Sequence, residues 1–196
     1  MLTVNSYSRV FTENTAPDFE FSKLFFCFKI NKKTKILIYM NTENEILESA
    51  PDREIVNKRI INAPRETVYN AWTYPEHLIN WWGPKGYTNT FIEFDLRPSG
   101  KWNFVMHGPE GENYINECIF LKIIPPELII WNHLSFPKFQ MVASFRELQG
   151  KTEVTFKMVF KTAEECDKIK LYMYGKNEEN LDKLEEEIGK MIYLHK

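Results

Sequence analysis

Residues 90–107, TFIEFDLRPSGKWNFVMH, contain two apolar segments separated by a short turn sequence. In the second segment Trp102, Phe104 and Met106 alternate with smaller or polar residues. Alternation with a period of two is typical of a strand that buries one face. Pro98-Ser99-Gly100 has the composition of a turn. The stretch therefore predicts two antiparallel strands, and the rest of the fold extends from them.

The same pattern continues on both sides of this pair. Turn residues at 108–113, 125–126 and 149–151 separate further segments of strand character. The predicted strands cover 53–63, 90–97, 101–107, 114–124, 128–134, 139–148 and 152–160. Consecutive strands joined by short turns indicate an antiparallel meander.

Helical segments follow the first and the last predicted strand. Two short helices separated by Tyr74-Pro75 come after Pro64. Thr162 and Glu165 form a capping box, so a helix is expected to begin there. Helical spacing of apolar residues predicts one main helix over 177–192, with Gly175 kinking or breaking the run that precedes it.

A seven-stranded sheet with one polar face cannot cover its own apolar face. The long terminal helix must therefore lie across it. The predicted fold class is α+β, with a curved antiparallel sheet wrapped on that helix and two short helices closing one end. This arrangement is expected to leave an apolar cavity suited to a ligand.

Several motifs resemble a known family. APRETVYNAWTYPEHLINWWGPKGYTNTFIEFDLRPSGKWNFVMHGPEGENY (63–114), FLKIIPPELI (120–129) and NLDKLEE (180–186) carry the resemblance, which covers about residues 53–190. The chain resembles the small bacterial homologues of the activator of the heat-shock protein 90 ATPase (AHSA-type). These belong to the START-like, or SRPBCC, superfamily. The resemblance implies the helix-grip fold of the birch-pollen allergen with a deep cavity, and it does not imply one activity, since the superfamily includes lipid and hormone binders, polyketide cyclases and co-chaperones.

Residues 1–52 lie outside the resemblance and are expected to form an N-terminal extension and linker. LFFCFKI (24–30) and ILIY (36–39) flank a Lys-rich turn and are compatible with a hairpin. We hypothesise that Met40 is the functional start and that residues 1–39 are an appendage or an upstream translation artefact. Residues 53–196 are predicted to be the START-like domain.

Composition excludes several classes of partner. Lys and Arg number 25 against 27 Asp and Glu, so no basic field favours nucleic acid or anionic lipid. The longest apolar run, Leu24–Phe28, is far shorter than the roughly 20 residues of a membrane-spanning helix. Three widely spaced cysteines favour reduced thiols and a cytoplasmic location. A homodimer is compatible with the sequence, but no surface stripe requires one.

Trp81 and Trp82 stand side by side before a loop with two glycines. Adjacent helical residues face different directions. One interpretation is that one indole anchors the helix while the other roofs the cavity, with the loop acting as a lid. The alternative is that both indoles simply pack, Trp81 on the sheet and Trp82 under the loop.

A polar site is predicted from the first strand. Period two places Arg59 and Asn57 on the inward face with Ile61. Glu117 falls on the same face as Ile123 by the same count, and an Arg59–Glu117 pair could hold the polar end of a ligand. The alternatives are a structural ion pair or a register in which both residues face water.

The remaining candidate residues are aromatic. Together with the residues above, the predicted cavity lining includes Trp102, Phe104, Trp131, Phe145 and Phe156. His107 and His133 end strands, and backbone-satisfied rim histidines are the favoured interpretation. No metal-binding motif is present, and neither a metal nor a cofactor is expected.

The leading hypothesis is a non-enzymatic cytoplasmic protein that binds a small hydrophobic or aromatic molecule in its cavity. The first alternative is a stress-response module that contacts a chaperone and stimulates its ATPase. The second is a cyclase- or hydrolase-like enzyme that uses a cavity His, Tyr or Glu as acid or base.

Overall fold

The computed structural model describes residues 45–194, and within them seven strands form one antiparallel sheet. The strands are β1 (Glu54–Ile61), β2 (Thr88–Phe94), β3 (Lys101–His107), β4 (Asn113–Ile124), β5 (Leu128–His133), β6 (Phe139–Leu148) and β7 (Lys151–Val159). Their order is β1-β7-β6-β5-β4-β3-β2. Strands β2 to β7 are a meander of hairpins, as predicted, and β1 adds to its free edge beside β7.

Three α-helices cover one face of the sheet. They are α1 (Arg65–Thr73), α2 (Pro75–Trp81) and α3 (Ala163–Leu194). Pro75 occupies the first turn of α2, where its missing N–H costs no hydrogen bond. The hydroxyl of Thr162 accepts the Glu165 N–H at 3.2 Å, which confirms the predicted cap of the terminal helix.

Helix α3 is longer than predicted. We expected the main helix over 177–192, but α3 runs without interruption through Gly175. Gly175 is exposed and has no close neighbour. A helix-interior glycine costs only about 1 kcal/mol relative to alanine, which is too little to break a long capped helix.

The core lies between the sheet and the helices. Along β1, Ile55, Asn57 and Ile61 are buried, so alternate residues face α3 as predicted. Leu181, Leu184 and Ile188 of α3 are each at most 2% exposed and complete the core from the helix side. The α+β helix-grip architecture expected from the sequence is therefore confirmed.

The segment before β1 contacts the outer side of the sheet. The Leu47 N–H donates to the Gln140 side chain at 3.0 Å, and Gln140 donates in turn to the Glu45 carbonyl. The hairpin and the start at Met40 that we predicted lie outside the described residues. Across residues 45–194, no helix has both the length and the apolarity needed to cross a membrane.

Candidate functional site

Trp81 and Trp82 both enter the interior, because the helix ends between them. Trp81 is the last residue of α2, is fully buried, and donates its indole N–H to the Ala71 carbonyl at 2.8 Å. Trp82 has extended backbone angles (φ −65°, ψ 128°), so its side chain leaves the helical direction. The two ring centroids are 5.5 Å apart. Both indoles are packed, and Trp82 is the more exposed of the two, at 8%.

These two indoles belong to a group of seven aromatic side chains that contact one another in the core, here called the aromatic cluster. The seven are Trp72, Trp81, Trp82, Trp102, Trp131, Phe145 and Phe156. Trp72 contacts five of the other six rings, with centroid separations from 4.6 to 6.3 Å. Trp72 was not among the predicted cavity residues, although its position on the apolar face of α1 was visible in the sequence. The cluster extends through Trp102 to Phe104, which stacks on it at 4.7 Å.

Three buried hydrogen-bond donors in or beside the aromatic cluster have no partner. They are the indole N–H groups of Trp72 and Trp102 and the hydroxyl of Tyr69, whose ring contacts Phe145 at 5.4 Å. All three residues are at most 7% exposed. Trp82 and Trp131 each contact both Trp72 and Trp102, so the two unpaired indoles belong to one contiguous group of rings. The side-chain oxygen of Asn180, which is buried on α3, is also unpaired.

Arg59 lies on the helix-facing side of β1, as predicted, but its partners are on α3. Its guanidinium contacts the carboxylates of Glu178, Asp182 and Glu185 at 2.8–2.9 Å. The bond to Glu178 contributes most to raising the pKa of Arg59. Nearby, the Asn177 side chain donates to Asn57 at 3.1 Å. Arg59, which was predicted to face inward, therefore links α3 to β1 at the edge of the sheet.

Glu117 does not meet Arg59, and our assignment of its face was wrong. Glu117 is exposed, whereas Cys118 and Phe120 face the core. A register shift in β4 between Phe120 and Lys122 adds one residue to the strand. Counting back in steps of two from Ile123 crosses this bulge, so the count ends on the opposite face.

His133 has both ring nitrogens engaged. Nδ1 donates to the carbonyls of Ser135 and Pro137 at 3.1 and 2.9 Å, and Nε2 lies 2.8 Å from the Asn116 side chain. Burial lowers the pKa of His133. His107 contacts the side chains of Thr90 and Asn113. The prediction of a backbone-satisfied rim histidine is thus met by His133. No group of three His, Cys, Asp or Glu side chains suited to a metal occurs in residues 45–194.

The glycine-rich loop after Trp82 is fastened to α3 by two residues that the sequence did not single out. The Lys183 ammonium donates to the carbonyls of Gly83 and Tyr87 at 3.0 and 3.3 Å. Glu179, one turn earlier on α3, accepts the Lys85 N–H at 3.0 Å. Burial lowers the pKa of Lys183.

A cleft of about 190 Å³ lies where β5 ends and β6 begins. Its lining includes His133, Phe139, Gln140, Lys161 and Glu165. None of the nine residues predicted to line a cavity borders this cleft.

A curved seven-stranded sheet that grips a long C-terminal helix over an aromatic interior defines a START-like helix-grip protein. The sequence profile of the family described as "Activator of Hsp90 ATPase homolog 1-like protein" matches residues 62–189. This match spans more than half of the chain, and the chain belongs to that family.

Solved structures of several bacterial proteins share this fold. A protein from Nitrosomonas europaea has a TM-score of 0.68 at 22% identity, covering 74% of this chain and 99% of its own. One from Arthrobacter aurescens has a TM-score of 0.67 at 18% identity, covering 74% and 91%. The AHSA1-like protein from Aeromonas hydrophila has a TM-score of 0.61 at 16% identity, covering 70% and 93%. At these identities the likeness supports the fold alone. The comparison with curated proteins gives no match.

Proposed function

We propose that this protein binds a small, mainly apolar molecule between the sheet and α3, against the aromatic cluster. The START-like fold is compatible with this role, since it packs a helix over the concave face of a sheet. Indole and phenyl rings offer large apolar faces for stacking against a flat or greasy molecule. The proposed ligand site consists of Trp72, Trp82, Trp102, Trp131, Phe145 and Phe156.

The observation that carries the proposal is the group of unpaired buried donors. An N–H or O–H that is buried without a partner costs about 1–3 kcal/mol, and folded proteins contain few of them. Trp72, Trp102 and Tyr69 supply three such donors around the cluster. A carbonyl, ether or hydroxyl oxygen on a bound molecule would offer an acceptor to one or more of them. The proposed ligand is therefore apolar but carries at least one oxygen acceptor, and these donors replace the Arg59–Glu117 pair as its polar contact.

Binding requires movement of side chains, because the rings already contact one another. Trp82 is the ring best suited to move, since it is the most exposed of the cluster and follows the end of α2. The flexible Met106 side chain lies beside Gly83 and could adapt to the displaced ring.

Binding without catalysis fits the surroundings better than an enzyme. His133, the buried histidine, lines the separate cleft at the end of β5, its Nδ1 is committed to two carbonyls, and its Nε2 contacts Asn116. Cys118 is a poor nucleophile, because burial raises the pKa of its thiol far above the neutral range.

Titration monitored by tryptophan fluorescence tests the proposal. The probes are 1-anilinonaphthalene-8-sulfonate, which combines flat rings with acceptor oxygens, and a panel of fatty acids and aromatic ketones. The expected result is saturable quenching with one molecule bound per chain. Trp102→Phe, which removes an unpaired donor, is expected to weaken binding roughly fivefold, the worth of one hydrogen bond.

The matched control is Trp81→Phe. Its indole N–H is already bonded to Ala71, so this change removes a ring of the same size without removing a free donor. Fluorescence that does not respond to any member of the panel would overturn the proposal. Equal loss of affinity in both variants would overturn the assignment of the donor.

The second candidate function is contact with a chaperone ATPase, as in the family description. Exposed apolar residues on the first half of α3 favour a protein-binding surface: Leu171 is 93% exposed, Tyr172 61% and Tyr174 51%. A Leu171→Ser, Tyr174→Ser double variant should then lose stimulation of Hsp90 ATPase activity while retaining probe binding. Absence of stimulation by the unmodified protein would exclude this function.

A further inference from the structure

The loop of residues 83–87 joins α2 to β2 and begins directly after Trp82. Gly83 and Gly86 have positive φ angles of 96° and 85°, a conformation that glycine adopts without strain. Tyr87 donates its N–H to the Pro84 carbonyl at 3.0 Å, which closes the loop into a turn. Because Gly83 follows the most exposed indole of the aromatic cluster, movement of this loop and movement of Trp82 are linked through the backbone.

Helix α3 holds this loop at both ends and in the middle. Lys183 donates to the carbonyls of Gly83 and Tyr87, which are the first and last residues of the loop. Glu179 accepts the Lys85 N–H between them. Glu179 and Lys183 are four residues apart, so they lie on the same face of α3 and act on the loop together.

Most of the other contacts of the loop are apolar or aromatic, and the Tyr87 side chain also hydrogen-bonds with Tyr172 of α3. Gly83 lies against the Met106 side chain, and Gly86 lies near Pro109. The Tyr87 and Tyr114 rings have centroids 6.3 Å apart. These contacts lack the directional, charge-assisted hydrogen bonds that Glu179 and Lys183 supply. Loss of those bonds would remove the charge-assisted part of the attachment of the loop to α3.

We propose that Lys183 and Glu179 form a latch that keeps the loop of residues 83–87 closed over Trp82, and that its release opens the route to the aromatic cluster. This proposal rests on the proposed function in one respect, namely that the molecule passing through the opening is the apolar ligand described above. The latch itself, as a property of the loop, is measurable without any ligand.

Hydrogen exchange of the full chain, read by mass spectrometry, tests the latch. Lys183→Met keeps the aliphatic stem and removes the ammonium. The loss of hydrogen bonds to a charged group should speed exchange of the amides of residue 83 and residues 85–88 about tenfold. Glu179→Ala should also speed exchange of these amides, because it removes the acceptor of the Lys85 N–H. Lys168→Met is the matched control, because Lys168 is exposed on the same helix and pairs with Glu164.

Quenching of tryptophan fluorescence by acrylamide provides the second readout. The proposal would be supported if both latch variants show faster loop exchange and stronger quenching, while Lys168→Met shows neither change. Unchanged loop exchange in the latch variants would overturn the latch. Faster exchange with unchanged quenching would overturn the opening of the route. Failure of the ligand-binding proposal would appear separately, as probes that bind neither the latch variants nor the unmodified protein.

Discussion

Trp81 and Trp82 are neighbours in sequence yet enter one aromatic cluster, because the backbone becomes extended at Trp82. The two indoles have different surroundings. The N–H of Trp81 is bonded within the fold, whereas Trp102, which contacts Trp82 at 5.0 Å, has an unpaired N–H. A buried N–H that forms a hydrogen bond contributes to stability, whereas a buried N–H without an acceptor destabilises the fold.

Replacement of these indoles by phenyl rings should separate the two cases. Trp81→Phe and Trp102→Phe lose the same volume, but only Trp81→Phe also breaks a hydrogen bond. We expect Trp81→Phe to be more destabilising than Trp102→Phe by about 1 kcal/mol in urea unfolding. Equal losses of unfolding free energy would show that the unpaired N–H of Trp102 does not destabilise the free protein.

His133 should make stability depend on pH in the weakly acidic range. Burial lowers its pKa below the ordinary value of 6.5, so the unfolded chain takes up a proton more readily than the folded chain. The stabilisation is therefore present above about pH 6.5 and is lost as the pH falls toward the folded-state pKa.

Thermal unfolding between pH 7.5 and 5.5, both chosen to bracket the ordinary imidazole range, measures this dependence. His133→Gln should reduce the fall in melting temperature, while His107→Gln, a change at a more accessible rim position, should leave it unaltered. The same fall in both variants would contradict the assignment to His133.

At the scale of elements, α3 is fastened to the sheet edge by Arg59. Its three carboxylate partners lie on one face of α3 and would repel one another without it. The Arg59 side chain is 25% exposed, so the interaction is intermediate between a surface pair and a buried one.

Arg59→Met is expected to destabilise the protein by about 1–2 kcal/mol, between the values for exposed and buried pairs. Lys58→Met, at the neighbouring exposed position, is the control and should have little effect. The difference should shrink in 1 M salt, because Arg59 and its three carboxylate partners are partly exposed to the screening ions. A loss that is independent of salt would contradict an electrostatic role.

Gly175 tests the continuity of α3. An alanine Cβ at this position would meet no neighbour within 4 Å. Gly175→Ala should therefore stabilise the protein by about 0.5–1 kcal/mol in urea unfolding, through helix propensity alone. Gly100→Ala is the contrasting change, because its Cβ would overlap the Asp95 carbonyl oxygen, and it should destabilise strongly. Destabilisation by Gly175→Ala would indicate that α3 needs a bend there.

The elements were predictable because their signals are local. Alternation along β3 and β6 gave the observed bounds of both strands, and the Thr162 cap gave the start of α3. The face of Glu117 was not predictable, since a bulge reverses the alternation without leaving a mark in composition. The contacts of Arg59 join residues 119–126 positions apart, and those of Glu179 and Lys183 with the loop join residues 94–100 positions apart. Only the packing of α3 brings these segments together.

At the scale of the whole molecule, the aromatic cluster is the feature of the interior that bears most directly on function. Its rings contact one another closely enough to stabilise the interior, as the packing alternative required. Its unpaired donors are not explained by packing. The ligand proposed above, with its acceptor oxygen, would account for both the apolar surroundings and the unpaired donors.

Native mass spectrometry of the protein purified from its own cells tests this account most directly. The account predicts a species heavier than the chain by the mass of one small organic molecule, which disappears when the protein is denatured. The released molecule should contain at least one oxygen acceptor. A spectrum with only the mass of the bare chain, from protein that also fails to take up any member of the probe panel, would contradict it.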